Sequence, residues 1–189
     1  MMDTLLPPEL IAAARKVLDA NRAAGRKIAV AESCTGGLVS AALTEIPGSS
    51  DVFEAGFVTY SNEAKHAVLK VSTDVLETFG AVSIAVAWRM AQGVLENSDA
   101  DVAVAITGIA GPEGGSEKKP VGTVVFAQAE RGADPQNVVA DARQFDNNGR
   151  GGVRLQAALC ALDLLMPAEP EAEAPETPEA EEPQDSPEA

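Results

Sequence analysis

Histidine, cysteine and aromatic side chains are scarce in this chain of 189 residues, and each shortage removes a class of chemistry. His66 is the one histidine, so a Ser-His-Asp triad would have to run through it. It adjoins Lys65 on an expected helix, where neighbouring side chains point about 100° apart, and the chain has no G-x-S-x-G turn. Cys34 and Cys160, the two cysteines, are too few and too far apart for a disulfide framework or a zinc ribbon; they read as free thiols. No run approaches the roughly 18 uninterrupted apolar residues that cross a bilayer. The opening Met1-Met2-Asp3-Thr4 lacks the basic and apolar pattern of a signal peptide. A soluble cytoplasmic protein with no membrane association is therefore expected.

Basic residues are also in short supply, 14 against 29 acidic ones, for a formal charge of −15. Nine of the acidic residues fall between positions 167 and 189, where there is no Lys or Arg. The body at 1–166 is thus only mildly acidic, and with one Trp, one Tyr and no basic stripe it is a poor grip for a nucleic-acid backbone. The segment at 167–189 repeats Pro, Glu and Ala and cannot bury enough apolar surface to offset the entropy of ordering, so a disordered tail is expected there.

The chain does have alternating strand and helix signals. Leu10, Ala14 and Val17 lie at helical spacing in an opening helix over residues 8–24, with Gly25 as its stop. Residues 28–31 read as a buried strand, followed by a helix after Gly37 that ends at the breaker cluster 46–50. A second strand over 52–60 leads into a capped helix over 61–70, and short and long helices follow over 73–79 and 83–96. Residues 101–106 form a third strand, and 122–129 and 137–145 pair as an antiparallel hairpin. Leu155, Leu159, Leu162 and Met166 give a closing helix from about 151 that Pro167 ends. This order implies one three-layer α/β/α sandwich on a mixed five-stranded sheet.

Ligands of such sheets gather where loops leave the carboxyl ends of parallel strands. Three loops there carry chemistry: residues 32–37, 59–65 and 107–115. Ser33, Cys34, Thr35, Gly36 and Gly37 stand together in the first, where a helix-capping Ser33 or Thr35 is one reading and a catalytic turn the other. As a nucleophile Ser33 needs a base, and Lys65 or Tyr60 can supply one, since a partly desolvated lysine loses its proton more readily. Cys34 is the rival nucleophile, because a helix N-terminus can lower a thiol's pKa. Glycines of both rich loops can present N–H groups to a phosphate or an oxyanion. Neither loop fits G-x-x-x-x-G-K-S/T or G-x-G-x-x-G, so triphosphates and dinucleotides are not indicated. Arg150 and Arg154, at the start of the last helix, can neutralise an anion.

Together, A-E-S-C-T-G-G-L-V-S at 31–40, G-F-V-T-Y-S-N-E-A-K at 56–65 and T-G-I-A-G-P-E-G-G-S-E-K-K-P-V-G-T-V at 107–124 resemble the C-terminal domain family of the competence/damage-inducible protein CinA. The resemblance covers about residues 10–165. It implies a five-stranded mixed sheet between helices, often in a homodimer, and an amidase that converts nicotinamide mononucleotide to nicotinate mononucleotide and ammonia without metal or organic cofactor. Its catalytic serine, tyrosine and lysine match Ser33, Tyr60 and Lys65. Substrate contacts are implied at Cys34, Thr35, Gly36 and Gly37 and, through the T-G-x-A-G-P loop, at Thr107, Gly108 and Gly111, with Arg150, Arg154 or a lysine of the Lys118-Lys119 pair near the nucleotide's anion. Many relatives carry G-D-R before the last helix, where this chain has Asn148-Gly149-Arg150. That departure leaves a second reading open, a nucleotide-binding or competence-related module with little activity. The separate N-terminal pyrophosphatase domain of full-length relatives is not expected here.

Overall fold

The computed structural model describes residues 4–134, 137 and 139–168. Most of the expected tail, from position 169 on, lies outside the described residues, as do residues 135, 136 and 138 of the expected hairpin. Strands β1 (Ile28–Glu32), β2 (Phe53–Val58), β3 (Val102–Gly108), β4 (Thr123–Glu130) and β5 (Val139–Gln144) form one sheet in the order β2-β1-β3-β4-β5. β1 runs parallel to β2 and β3, while β3–β4 and β4–β5 pair antiparallel. Helices α1 (Pro8–Ala23), α2 (Leu38–Thr44), α3 (Asn62–Leu69), α4 (Thr73–Phe79), α5 (Ile84–Glu96) and α6 (Gly149–Leu164) cover both faces. The chain thus forms the expected three layers, with α6 starting two residues earlier than its apolar stripe implies. Among the described residues no helix is long and apolar enough to cross a membrane.

Strand alternation sorts the core by size. Ile28, Val30, Val104, Ile106, Val124 and Phe126 turn to one face and pack with α1, α2 and α6. Ala29, Ala31, Ala103, Ala105, Ala127 and Ala129 turn to the other, where they pack with Val86, Met90, Ala91 and Val94 of α5. Large residues fill the space under three helices; alanines let α5 lie close against the strands. Each fully buried Val, Ile or Leu contributes about 1.5–3 kcal/mol, so both faces are anchored independently. Behind α5 the fit is tighter still, since a Cβ on Gly93 would overlap the Leu69 carbonyl at the end of α3.

This topology places the site. From β1 the chain crosses to β2 on one side, and β3 lies on the other, so the connections leaving β1 and β3 diverge at their carboxyl ends. β1 is the central parallel strand, and the loop that leaves it sits at that divergence. Ser33 N–H carries the ladder one step further by donating to the Ile106 carbonyl of β3, at 2.9 Å.

Candidate active site

Alternation continues off the end of β1 and divides two neighbours. Glu32 falls on the α2 side and Ser33 on the α3 side. The Glu32 side chain is fully buried. Its Oε2 accepts from the Gly37 and Val39 N–H groups at 3.0 and 3.2 Å, and its Oε1 from the Ser40 N–H and hydroxyl at 2.8 and 2.7 Å. Gly36 and Gly37 adopt left-handed φ values of 60° and 91°, which fold the chain back so that the carboxylate reaches these donors.

Two expectations change here. Neither Ser33 nor Thr35 caps α2, whose N-cap is Gly37; the carboxylate of Glu32 takes that role, and Ser33 is free for other work. The glycine N–H groups are not open to a phosphate either, because Gly36 donates to the Ser33 carbonyl at 3.1 Å and Gly37 to Glu32. What the turn leaves are the N–H groups of Cys34 and Thr35, which lie beside the Cys34 sulfur and hold no oxygen acceptor among the described residues. The pattern E-S-x-x-G-G-L-x-S carries the signal for Glu32, a carboxylate placed just before a doubled glycine and a serine.

On the α3 side, Ser61 caps the helix by accepting from the Ala64 N–H at 3.0 Å, which sets Lys65 in the first turn facing β1. Lys65 is 1% exposed. Its Nζ lies 3.0 Å from Ser33 Oγ, 2.9 Å from the Thr59 carbonyl and 3.3 Å from the Tyr60 carbonyl. Burial lowers the lysine's pKa, and the Cys34 sulfur opposes this only in part. The count of partners suits a base. As an ammonium, Nζ donates to all three oxygens. As a neutral amine it keeps two N–H bonds for the carbonyls and turns its lone pair to the Ser33 hydroxyl. Both protonation states use the same contacts, so a proton can pass without rearrangement. Ser33 itself is 8% exposed.

Tyr60 is brought to the same mouth but not to the same contact. The residue is 61% exposed, and its hydroxyl accepts from Arg150 Nη2 at 2.9 Å. Arg150 Nη1 donates to the Gly111 carbonyl, also at 2.9 Å, so this arginine links the second and third loops despite the altered sequence before it. Arg154 donates to the Thr35 carbonyl at 2.7 Å, which holds its guanidinium against the first loop. Lys119 is likewise occupied by the Phe79 and Val82 carbonyls, at 3.2 and 2.7 Å, while Lys118 is exposed. Thr107 and Gly108 end β3, where the Thr107 hydroxyl donates to the Ala81 carbonyl and Gly108 lies tight against Val124.

Three further groups are placed. The Cys34 thiol is 5% exposed, and burial pushes its pKa up to about 11, against the lowering expected from a helix N-terminus. His66 Nδ1 meets the Val71 carbonyl at 2.9 Å, where an Nδ1–H donates and ties down the end of α3. The hydroxyls of Thr35 and Thr59 are buried with no partner among the described residues. An unsatisfied buried hydroxyl costs about 1–3 kcal/mol, which singles out both as places where a bound molecule or water supplies the missing bond.

Known proteins resemble this chain over most of its length. Over 145 residues the chain is 54% identical to the nicotinamide-nucleotide amidohydrolase PncC of Enterobacter agglomerans, a span covering 77% of this chain and 86% of that protein. It is 48% identical over 157 residues to the protein of the same name from Escherichia coli K12, covering 83% and 93%. The crystal structure of the competence/damage inducible protein CihA from Agrobacterium tumefaciens superposes with a TM-score of 0.81 at 46% identity, covering 86% of this chain and 96% of that one. The profile of the CinA C-terminal domain matches residues 11–168, all but the first ten residues and the acidic end. The chain belongs to the CinA C-terminal domain family.

Proposed function

We propose that this protein is a cytoplasmic amidohydrolase that converts nicotinamide mononucleotide and water to nicotinate mononucleotide and ammonia, with Ser33 as nucleophile and Lys65 as its base. The observation that carries the mechanism is the buried 3.0 Å contact between Lys65 Nζ and Ser33 Oγ. The substrate comes from the relatives named as nicotinamide-nucleotide amidohydrolases, which this chain matches over most of their length.

In the first half-reaction Ser33 Oγ bonds to the carboxamide carbon while Lys65 takes the hydroxyl proton. The carbonyl oxygen becomes an oxyanion, and the N–H groups of Cys34 and Thr35 are the donors left to receive it. Lys65 then gives its proton to the nitrogen, the C–N bond breaks and ammonia leaves an ester on Ser33. In the second half, water adds to the ester carbon, Lys65 takes its proton, the ester C–O bond breaks and Ser33 recovers its hydrogen. The Thr35 hydroxyl, buried and unpartnered, supports a contact with the carboxamide. Tyr60, Arg150 and the Gly111 loop form the outer mouth, where a guanidinium suits the nucleotide phosphate. This divides the labour: Lys65 moves protons, and the Tyr60–Arg150 pair holds the anionic end.

The test is ammonia release from nicotinamide mononucleotide by the purified protein and by Ser33→Ala in parallel. Release by the wild type alone is expected. Equal release by both would remove Ser33 from the mechanism, and release by neither, with saturable nucleotide binding, would leave a binding module. Tyr60→Phe is expected to raise KM more than it lowers kcat; a large loss in kcat at unchanged KM would instead return the tyrosine to proton transfer. A homodimer also belongs to this reading, and a monomeric mass by light scattering would remove it.

A further inference from the structure

Beside the reacting groups lies a buried carboxylate that touches neither Ser33 Oγ nor Lys65 Nζ. Glu32 immediately precedes the nucleophile, is fully buried, and spends both oxygens on the far end of the loop that Ser33 begins. Four donors meet it, three of them main-chain N–H groups at positions 37, 39 and 40. From the opposite side Arg154 holds the Thr35 carbonyl at 2.7 Å. The turn between these anchors contains Ser33, Cys34 and Thr35, that is, the nucleophile and both N–H groups with no oxygen acceptor of their own.

We propose that Glu32 is a positioning residue for the reaction: its carboxylate ties residues 37–40 back to the end of β1 and so fixes the orientation of the Ser33 hydroxyl and of the Cys34 and Thr35 N–H groups toward the developing oxyanion. It rests on the reading of Ser33 as nucleophile. The effect runs through the main chain. Burial lowers the pKa of Lys65 and the Cys34 sulfur opposes it, while the Glu32 oxygens make their hydrogen bonds to residues 37–40 and none to Lys65 Nζ. A carboxylate that acted through charge would move the protonation of Lys65; one that aligns donors changes the rate and leaves that protonation where it is. Oxyanion donors must sit about 2.7–3.1 Å from the oxygen as it forms, and misplacing one lowers kcat by roughly 10²–10³-fold, with little effect on ground-state binding.

Glu32→Gln keeps the shape and one acceptor but turns an amide NH2 toward main-chain N–H or the Ser40 hydroxyl. Ser40→Ala removes the hydroxyl bond alone, and the double variant leaves the Ser40 N–H without an acceptor when the amide turns that way. The measurements are kcat, the midpoint of the pH–rate profile, the Kd for nicotinate mononucleotide, and the rate at which a fluorophosphonate labels Ser33, a reaction in which the serine oxygen bonds to phosphorus and fluoride leaves. Expected are losses in kcat of about threefold for Ser40→Ala, at least tenfold for Glu32→Gln and more for the pair. Labelling should slow in parallel, with Kd within about threefold and an unmoved pH midpoint. Wild-type kcat and labelling in folded Glu32→Gln would overturn the proposal, and a shifted midpoint would replace it with a direct electrostatic role. If Glu32→Gln does not fold, wild-type kcat and labelling in Ser40→Ala overturn it. Failure of the wild type itself to be labelled or to release ammonia would sink the serine mechanism and this inference with it, whereas an active wild type and an equally active Glu32→Gln would sink this inference alone.

Discussion

The two flanks of Ser33 bury opposite charges in different ways. On the α2 side the Glu32 carboxylate meets four donors, and on the α3 side the Lys65 amine meets three oxygens, none of them anionic. A buried cation without a counter-ion is costly, and the protein relieves that cost by making the proton easier to lose. The first flank is built to stay still. The second is built to change protonation state without moving. In the proposed mechanism the serine between them takes its orientation from one neighbour and its reactivity from the other.

The largest effect that separates the flanks is expected from Lys65→Met, which fills the same buried space with no base. Turnover should fall by roughly 10²–10⁴-fold, the range of general-base removal, while the protein stays as stable or gains, since a desolvated amine is gone. Loss of folding instead would give Lys65 a structural role. The pH dependence follows from the direction of the shift. The folded-state pKa of Lys65 lies below the ordinary 10.5, so between the two values the unfolded chain binds more protons. Stability therefore rises with pH across that window, and the penalty is fully present below the folded pKa. Activity should rise through the folded pKa as the neutral amine accumulates. Lys65→Met should erase the stability slope in urea unfolding midpoints measured against pH; an unchanged slope would assign it to another group.

Much of this was legible in the chain. Alternating apolar strands, breaker clusters and glycines at strand ends gave the layers and brought residues 33, 60 and 65 to neighbouring loops, because period and punctuation are local signals. Pairing across the site is not local. Whether the Tyr60 hydroxyl meets Ser33 or Arg150 depends on how α6 packs 90 positions away. The burial that lifts the Cys34 thiol depends on a core assembled from α1, α2 and α6, and it outweighs the lowering that a helix N-terminus offers a thiol. Glu32 is harder to read from the sequence, since three of its four donors are main-chain N–H groups that any residue supplies and only the Ser40 hydroxyl is a side chain.

Smaller contrasts sharpen the same comparison. A methyl group at Gly93 would overlap the main-chain carbonyl of Leu69, and backbone cannot give way cheaply. Gly93→Ala gains about 1 kcal/mol of helix propensity, but the overlap should outweigh it and leave a net loss of about 1–3 kcal/mol. For a domain of this size that is a fall in Tm of roughly 3–10 °C. At Gly56 the obstacle is the Ser40 hydroxyl, a side chain that can swing away at the cost of its bond to Glu32. Gly56→Ala should therefore cost less stability than Gly93→Ala and should lower kcat as Ser40→Ala does; equal Tm losses would mean the α2 flank is as unyielding as the α3 flank.

Least of all should change with iodoacetamide. A thiol at about 11 has roughly one thiolate in a thousand at pH 8, and Cys34 and Cys160 are both raised to that value and both buried. Native protein held with the reagent for the time that labels an exposed cysteine should keep its amidase activity. Rapid inactivation protected by nicotinate mononucleotide would show that Cys34 is reached and ionised in solution, and the choice between the two adjacent nucleophiles would have to be reopened.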